Sequence, residues 1–533
     1  MPETEPAASL PQGLTEPSFD PNALRVLNER YFAKTPEGRL ETPTEFLWRV
    51  ASAIAEPERR YARANGRDEE MVVAQTSREF YDMMSRRDFM PNTPCLVNAG
   101  RPLSMLSACF VLPVPDSIEG IFYNLKAMAR VQQGGGGTGF SFSSLRQSGS
   151  GVATTGRDAS GPVSFMKVFN AATDSIKQGG VRRGANMGVL RVDHPDVFDF
   201  MRCKKELDSE NRALWNRFSD SGTYTEAQLQ HLKQELLQTQ INNFNISIGV
   251  TDKFMAAVES GGDFELIDPR TKEPVRTVAA SEVWDAIVDG AWQNGEPGVI
   301  FLDHPDANPL PGLGPIEATN PCGEQLLHGY DSCNLGSINV GHFYDAGAKD
   351  VDWERLAGTV ETSIRFLDNV IDANIYPLDE IGAMVTNNRR VGLGIMGFAD
   401  LLIQMEVEYG STQAIAFAQK LMKFIQEKAE DTSETLARER GDFPNKHLSV
   451  WADDARPRRN AALLSIAPTG TISMIAGCSF GCEPYFGMAY TKHVMKDAEG
   501  RPQHLYYVVP LFEEIAKDDG FYSEELLSKV EEN

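Results

Sequence analysis

This 533-residue chain has no run of about eighteen or more apolar residues. Its N-terminus, Met1-Pro2-Glu3-Thr4-Glu5, is acidic where a secretory leader is basic and then apolar. Both absences point to a cytoplasmic protein with no membrane partner. Cysteine is scarce: Cys95, Cys109, Cys203, Cys322, Cys333, Cys478 and Cys482 make seven. That is too few for a disulfide scaffold, and the odd count suits a reducing compartment, which leaves some thiols free for chemistry. Basic residues are outnumbered 51 to 75, net charge −24, which excludes a general nucleic-acid or anionic-lipid surface. A polyphosphate ligand would need local arginines or backbone N–H donors.

Phosphate-loop motifs are missing as well. No G-x-x-x-x-G-K-[ST] occurs, and the two G-x-G-x-x-G matches, Gly134 to Gly139 and Gly392 to Gly397, lack the strand-before, helix-after setting of a dinucleotide site. Close backbone approach or turns explain these glycines better. What is present is ample core material, 41% hydrophobic and 24% charged, in a length that suits two to four domains or one large α/β barrel with additions.

Residues 1–22 carry Pro, Glu, Ala and Ser without periodicity and read as a disordered tail. Residues 23–90 read as a helical region, with Thr42-Pro43-Thr44-Glu45 as a helix start. From 91 to 533 strands and helices alternate. Strand-like runs occur at 107–112, 140–143, 244–250, 332–340 and 461–467, and helical patterns at 353–375 and 411–440. Asp116 reads as an N-cap, and residues 387–392 as a turn leading into a glycine-rich helix. The alternation predicts an α/β barrel with its site at strand ends or inside.

One stretch carries more polarity than packing needs. Ala318-Thr319-Asn320-Pro321-Cys322-Gly323-Glu324-Gln325 sets a carboxamide, a thiol and a carboxylate in one tight turn. On this stretch alone, a reactive thiol and a small buried cysteine are equally good readings of Cys322. Two Gly-rich loops, 145–162 and 177–186, bring arginines to flexible backbone, as an anionic ligand requires; solvated loop arginines are the plainer alternative. Pro468-Thr469-Gly470-Thr471-Ile472-Ser473 follows an apolar run and places hydroxyls and N–H groups at a helix start.

In combination and in order, these motifs resemble the catalytic subunit of ribonucleotide reductase, most closely the class II, adenosylcobalamin-dependent enzymes. The resemblance rests on Asn92-Thr93-Pro94 with Asn98-Ala99-Gly100, Ser107-Ala108-Cys109, Gly179-Gly180-Val181-Arg182, Asn320-Pro321-Cys322-Gly323-Glu324, Cys333-Asn334-Leu335-Gly336-Ser337 and Pro468-Thr469-Gly470-Thr471. It implies a ten-stranded α/β barrel with a central finger loop, its last elements lying beyond Asn533, behind a small helical region.

It also implies roles. Cys322 carries the thiyl radical, Glu324 is the general base, Asn320 holds ribose hydroxyls, and Cys109 with Cys333 reduces the 2′ position and ends as a disulfide. Thr93, Ser107, Ala108, Thr469, Gly470, Thr471, Ile472 and Ser473 line the ribonucleotide substrate site. Asp116, Arg146, Lys177 and Arg182 hold a deoxynucleoside triphosphate (dNTP) effector. No metal is ligated by side chains; the cofactor is adenosylcobalamin, although no Asp-x-His-x-x-Gly cobalamin motif occurs. The implied partners are a second copy in a homodimer, a thioredoxin-like reductant, and a missing C-terminal segment or complementing chain that would re-reduce the disulfide. Glu324 argues against the glycyl-radical class. Two other readings stand beside this one: a class I large subunit needing a separate metal-radical subunit, and a non-catalytic effector-binding fragment.

Overall fold

The computed structural model describes residues 10–152, 156–176, 184–304, 308–496 and 502–532. The chain begins with a helical layer, α1 (Pro21–Arg30), α2 (Pro43–Ala55), α3 (Glu58–Ala64) and α4 (Glu69–Ser85). Asp20 caps α1, and α2 opens with a full capping box in which Thr42 and Glu45 satisfy each other's backbone N–H. Phe46, Leu47, Val50 and Ile54 form the buried stripe of α2. The tail expected over 1–22 is not free over its second half: Arg78 donates to Gly13 O, the Tyr81 hydroxyl donates to Thr15 O at 2.6 Å, and Phe19 is buried. Single apolar anchors without a helical period hold it, which periodicity does not detect.

An eight-stranded sheet follows. Its members are β1 (Phe89–Pro91), β2 (Cys109–Leu112), β3 (Gly137–Ser141), β4 (Asn186–Arg191), β5 (Phe244–Val250), β6 (Gly298–Phe301), and then, after the two-stranded hairpin of β7 (Ala318–Thr319) and β8 (Leu326–Leu327), β9 (Ser332–Asn339) and β10 (Val391–Met396). The order is β1-β9-β2-β3-β4-β5-β6, with β10 also on β9. Strands β2 to β6 are parallel throughout, and β9 with β10 begins a second parallel block. The extended segment 462–465 continues that block, through Leu393 N to Leu463 O at 2.8 Å and Ser465 N to Leu393 O at 3.0 Å. The two blocks meet at one antiparallel seam, β2 against β9.

Helices cover the outer face, as parallel strands require: α5 (Thr93–Asn98), α6 (Ile118–Gln133), α7 (Gly161–Ser175), α8 (Trp353–Ala373), α9 (Asp379–Asn388), α10 (Thr412–Arg440) and α11 (Ile472–Ala476) among them. The glycine-rich stretch after 391 is strand β10 and not the expected helix. All six of its residues are buried, and its glycines make room for neighbours: a Cβ on Gly392 would lie 2.4 Å from Leu335 Cδ2, and one on Gly394 2.3 Å from Ser465 O.

The helical layer is fastened to the sheet by a buried ion cluster. Asp368 accepts from Arg389, Arg440 and Arg459, while Arg365 and Arg440 also reach Glu58. Burial alone would raise the Asp368 carboxyl; the three guanidiniums outweigh it and hold the group far below the usual range. Among the described residues no helix is long and apolar enough to cross a membrane.

Candidate active site

The seam brings together residues far apart in sequence. In the β2–β9 ladder Cys109 lies directly opposite Cys333, with Phe110 opposite Ser332. Directly opposed residues of an antiparallel pair have Cα atoms about 4.5–5.5 Å apart, inside the span a disulfide bridges. Both thiols are buried and reduced, and burial pushes the Cys333 thiol well up. Beneath Cys333 the carboxylate of Asp331 is fully buried. It is satisfied by Arg390 Nε and Asn388 Nδ2, each at 2.8 Å, and by the Ser332 amide at 2.9 Å. His328 takes up the rest of Arg390: its Nδ1 accepts at 3.4 Å, which leaves Nε2–H to donate to Gly314 O. Burial first, and then Arg390, hold this imidazole neutral. The network fixes the start of β9 and therefore the Cys333 register.

Over this seam lies the β7–β8 hairpin, whose six-residue tip is the polar stretch singled out above. Gly139 and Gly137 on β3 make room for it. A Cβ on Gly139 would stand 1.6 Å from Thr319 O, and one on Gly137 2.7 Å from Pro321 Cγ. Within the tip, Gly323 turns at φ +86°, a region that favours glycine, and donates to Asn320 O at 3.1 Å. Asn320 Oδ1 accepts from Gln325 N at 3.0 Å, and its Nδ2 donates to Cys109 Sγ at 3.0 Å. Two outside groups hold the tip: Asn245 Nδ2 donates to Pro321 O at 2.8 Å, and Ser465 Oγ donates to Glu324 O at 3.2 Å.

Three cysteines and a carboxylate thus share one region in different environments. Cys322 at the tip is exposed, while Cys109 and Cys333 beneath it are buried. The Cys109 thiol donates to Glu324 Oε1 across 3.6 Å, and Glu324 Oε2 is buried with no hydrogen-bond partner among the described residues. A buried, unsatisfied acceptor is costly, and a ligand hydroxyl placed there would relieve it. Asn320, expected to hold ribose hydroxyls, is only 2% exposed and spends both ends of its amide on the tip and on Cys109.

The expected phosphate turn follows the 462–465 segment. Thr469 adopts φ +52° and its Oγ1 accepts from Gly481 N at 2.8 Å; Gly470 is exposed; Thr471 and Ile472 open the short helix α11, whose Ser473 amide donates to Thr469 O at 2.9 Å. Ser473 Oγ is fully buried without a partner among the described residues. Helix α11 packs on α1 and on β1, the strand that leads to Thr93, and the Thr93 hydroxyl meets Tyr31 Oη at 2.9 Å. Ser107 Oγ accepts from Asn374 Nδ2 at 3.1 Å, and Ala108 O from the Gly137 amide at 2.8 Å.

Farther off, Asp116 is not the N-cap of α6. Ser117 takes that place, which frees the Asp116 carboxylate for a two-pronged pair with Arg146, Nε at 2.9 Å and Nη2 at 2.9 Å. Lys177 and Arg182 lie outside the described residues.

Sequence reasoning missed Asn245, Ser465, Gln325 and Asn374, whereas the close backbone approach expected of the 134–139 glycines is what Gly137 and Gly139 provide. A signal for the first existed. In Phe244-Asn245-Ile246-Ser247-Ile248-Gly249-Val250 the alternate positions Asn245, Ser247 and Gly249 are small or polar, which marks an inner face meant to receive something.

Models of the ribonucleotide reductase barrel domain match residues 107–457 and 454–533, and a model of the ribonucleotide reductase all-alpha domain matches 17–104. The vitamin B12-dependent ribonucleoside-diphosphate reductase of Thermoplasma acidophilum is 43% identical, over 96% of this chain and 68% of its own length. The protein of that name from Mycobacterium tuberculosis H37Rv is 42% identical, over 95% and 66%. A ribonucleoside-diphosphate reductase subunit alpha from Chlamydia muridarum is 28% identical, over 89% and 48%. The chain spans about two thirds of the length of the vitamin B12-dependent relatives.

Proposed function

The chain belongs to the ribonucleotide reductase family, and from that premise we propose that it is an oxidoreductase of the adenosylcobalamin-dependent class, converting ribonucleotides to 2′-deoxyribonucleotides. The relatives' names favour diphosphate substrates and the cobalamin-dependent class, at 43% identity against 28% for the subunit-alpha relative. The observation that carries the reading is the stacking of an exposed Cys322 and a half-buried Glu324 over the opposed Cys109 and Cys333.

The tip suits a bulky cofactor. Cys322 and Gly323 are exposed, and nothing lies within 4 Å of where a Gly323 Cβ would stand, so one side of the sulfur is open. Cys322 and Gly323 would face adenosylcobalamin bound there, and the group would supply the initiating radical.

The chain's own groups do the rest. Cys322 as a thiyl takes the 3′-hydrogen atom of the ribose and later returns it. Glu324 Oε2, buried and unsatisfied, accepts the 3′-hydroxyl proton. Cys109, already hydrogen-bonded to Glu324, gives a proton to the departing 2′-hydroxyl, which leaves as water. Cys109 and Cys333 together provide two hydrogen atoms' worth of reduction and close a disulfide, so ribonucleotide and dithiol become deoxyribonucleotide, disulfide and water. Asn320 acts by holding Cys109 in line. Thr93, Ser107, Ala108 and the turn from Thr469 to Ser473 bind the substrate phosphates, with the unsatisfied Ser473 hydroxyl as a donor.

Asp116 and Arg146 bind a dNTP effector. A homodimer is supported by Ile118 and Phe122, four residues apart on α6 and exposed by 59% and 50%. A thioredoxin-like dithiol restores the buried pair, and free cysteines throughout fit the cytoplasm.

The test is production of deoxyribonucleotide from each ribonucleoside diphosphate with adenosylcobalamin and a dithiol present. Product from the unsubstituted protein and none from Cys322→Ser supports the proposal. Equal product from both would refute it.

A further inference from the structure

The hairpin of strands Asp263–Ile267 and Pro274–Ala279 has no part in the chemistry above, yet its tip ends beside the Asp116–Arg146 pair. Its turn is built to hold one shape. Asp268 Oδ1 accepts from Arg270 N at 2.8 Å and Thr271 N at 2.9 Å, and Lys272 N closes onto Asp268 O at 2.9 Å. These amides, Thr271 first, and the Gln147 side chain keep the Asp268 carboxyl below its usual range. Next to the turn, the first strand is tied to the residues just after β4 by Ile267 N to Asp193 O at 2.7 Å. The tip is therefore set against the 145–148 loop from two sides.

Arg270 is what this turn presents. Its Nε lies 4.0 Å from Asp116 Oδ2, close enough to feel the carboxylate and too far to hydrogen-bond it. Arg146 already occupies that carboxylate, and Arg270, half exposed at its side-chain end, makes no side-chain hydrogen bond among the described residues. Beside them Gln147 Oε1 is buried without a partner among the described residues. With Asp268 consumed by its own turn, the groups left around the pair are one carboxylate, two guanidiniums and, buried beside them, an orphaned amide oxygen. That set suits a ligand carrying both hydroxyl donors and anionic phosphate.

We propose that Arg270 is a third wall of the effector site, contacting a phosphate of the deoxynucleoside triphosphate bound at Asp116 and Arg146. This rests on the effector reading of that pair. A surface arginine with no ligand would be free to move in solvent; one on a turn braced by Asp268, aimed at a carboxylate another arginine has already neutralised, is placed for an incoming anion.

The experiment is calorimetric titration of the whole chain with dATP, dGTP and dTTP in turn, using Arg270→Ala, Arg270→Lys, Arg146→Ala and Asp116→Ala. Arg276→Ala serves as control, since Arg276 sits on the same hairpin but over the Phe198 ring at 5.5 Å. Loss of one charge-assisted contact corresponds to an about tenfold rise in Kd. Arg270→Ala is expected to show that rise, Arg270→Lys about a third of it on a logarithmic scale, and Arg276→Ala none. Binding by Arg270→Ala within twofold of the unsubstituted protein, while Arg146→Ala and Asp116→Ala lose it, would overturn the inference and leave the effector site standing. Unchanged binding in Arg146→Ala and Asp116→Ala, or no binding by the unsubstituted protein, would overturn both.

Discussion

Replacing Gly139 with alanine adds one methyl group where the finger hairpin crosses β3. That carbon would stand 1.6 Å from Thr319 O, whereas ordinary C···O contacts begin near 3.3 Å, so about 1.7 Å of movement is needed. The obstacle is a backbone carbonyl, with no flexible side chain to swing aside. Strand β3 is hydrogen-bonded on both sides, to β2 and β4, so the hairpin must yield. Its tip is tethered through Asn245 to Pro321 and through Asn320 to Cys109, and the displacement therefore reaches Cys322. A misplacement of about 1 Å costs roughly 100-fold when reacting atoms must stay in line. Gly139→Ala should thus lower kcat by about 100-fold or more, with a stability loss of about 1–3 kcal/mol. Gly137→Ala, which meets the Pro321 ring at 2.7 Å, should lose about tenfold or less because the ring can pucker. Initial rates of deoxyribonucleotide formation, with melting curves to show both variants fold, provide the comparison. A Gly139→Ala protein that is folded and within threefold of full activity would refute the argument that these glycines exist to seat the finger.

Asp368→Asn leaves Arg389, Arg440 and Arg459 without their shared carboxylate and should cost about 3–5 kcal/mol in urea unfolding. Because the folded-state pKa of Asp368 lies below its ordinary 3.8, its contribution is fully present above pH ~4 and fades as pH falls through the folded-state value; the variant's stability deficit should shrink in acid. Glu324→Gln keeps the shape of the tip but removes the base, so kcat should fall about 10²–10⁴-fold with effector affinity unchanged. Asn245→Ala frees Pro321 O and should reduce kcat more than it raises KM, which steady-state rates will show.

The chain's own pattern made a good part of this legible. The alternation in 244–250 coincides with β5, the capping box marks the start of α2, and the ordered motifs placed the thiol turn, Cys109 and Cys333 in one family. What sequence cannot display is register. Nothing local says that Cys109 faces Cys333 across the only antiparallel join between two parallel blocks of the described sheet, because that pairing depends on where every intervening strand falls. The reading of a glycine-rich helix after the 387–392 turn failed for a related reason: close approach at Gly392 and Gly394 is expected from the glycines alone, but what approaches, Leu335 and Ser465, is brought in from other strands. Asp116 looked like a cap because capping is a local rule, while Arg146, its actual partner, arrives from another loop.

The central claim is that the buried pair at the seam supplies the reducing equivalents while the exposed cysteine above it does not. A single turnover without external dithiol, followed by alkylation and peptide mapping of all seven cysteines, tests it directly. The account predicts one Cys109–Cys333 disulfide for each deoxyribonucleotide formed, with Cys322 still alkylated as a free thiol. Product formed while Cys109 and Cys333 both remain alkylatable, or a disulfide that includes Cys322, would contradict it.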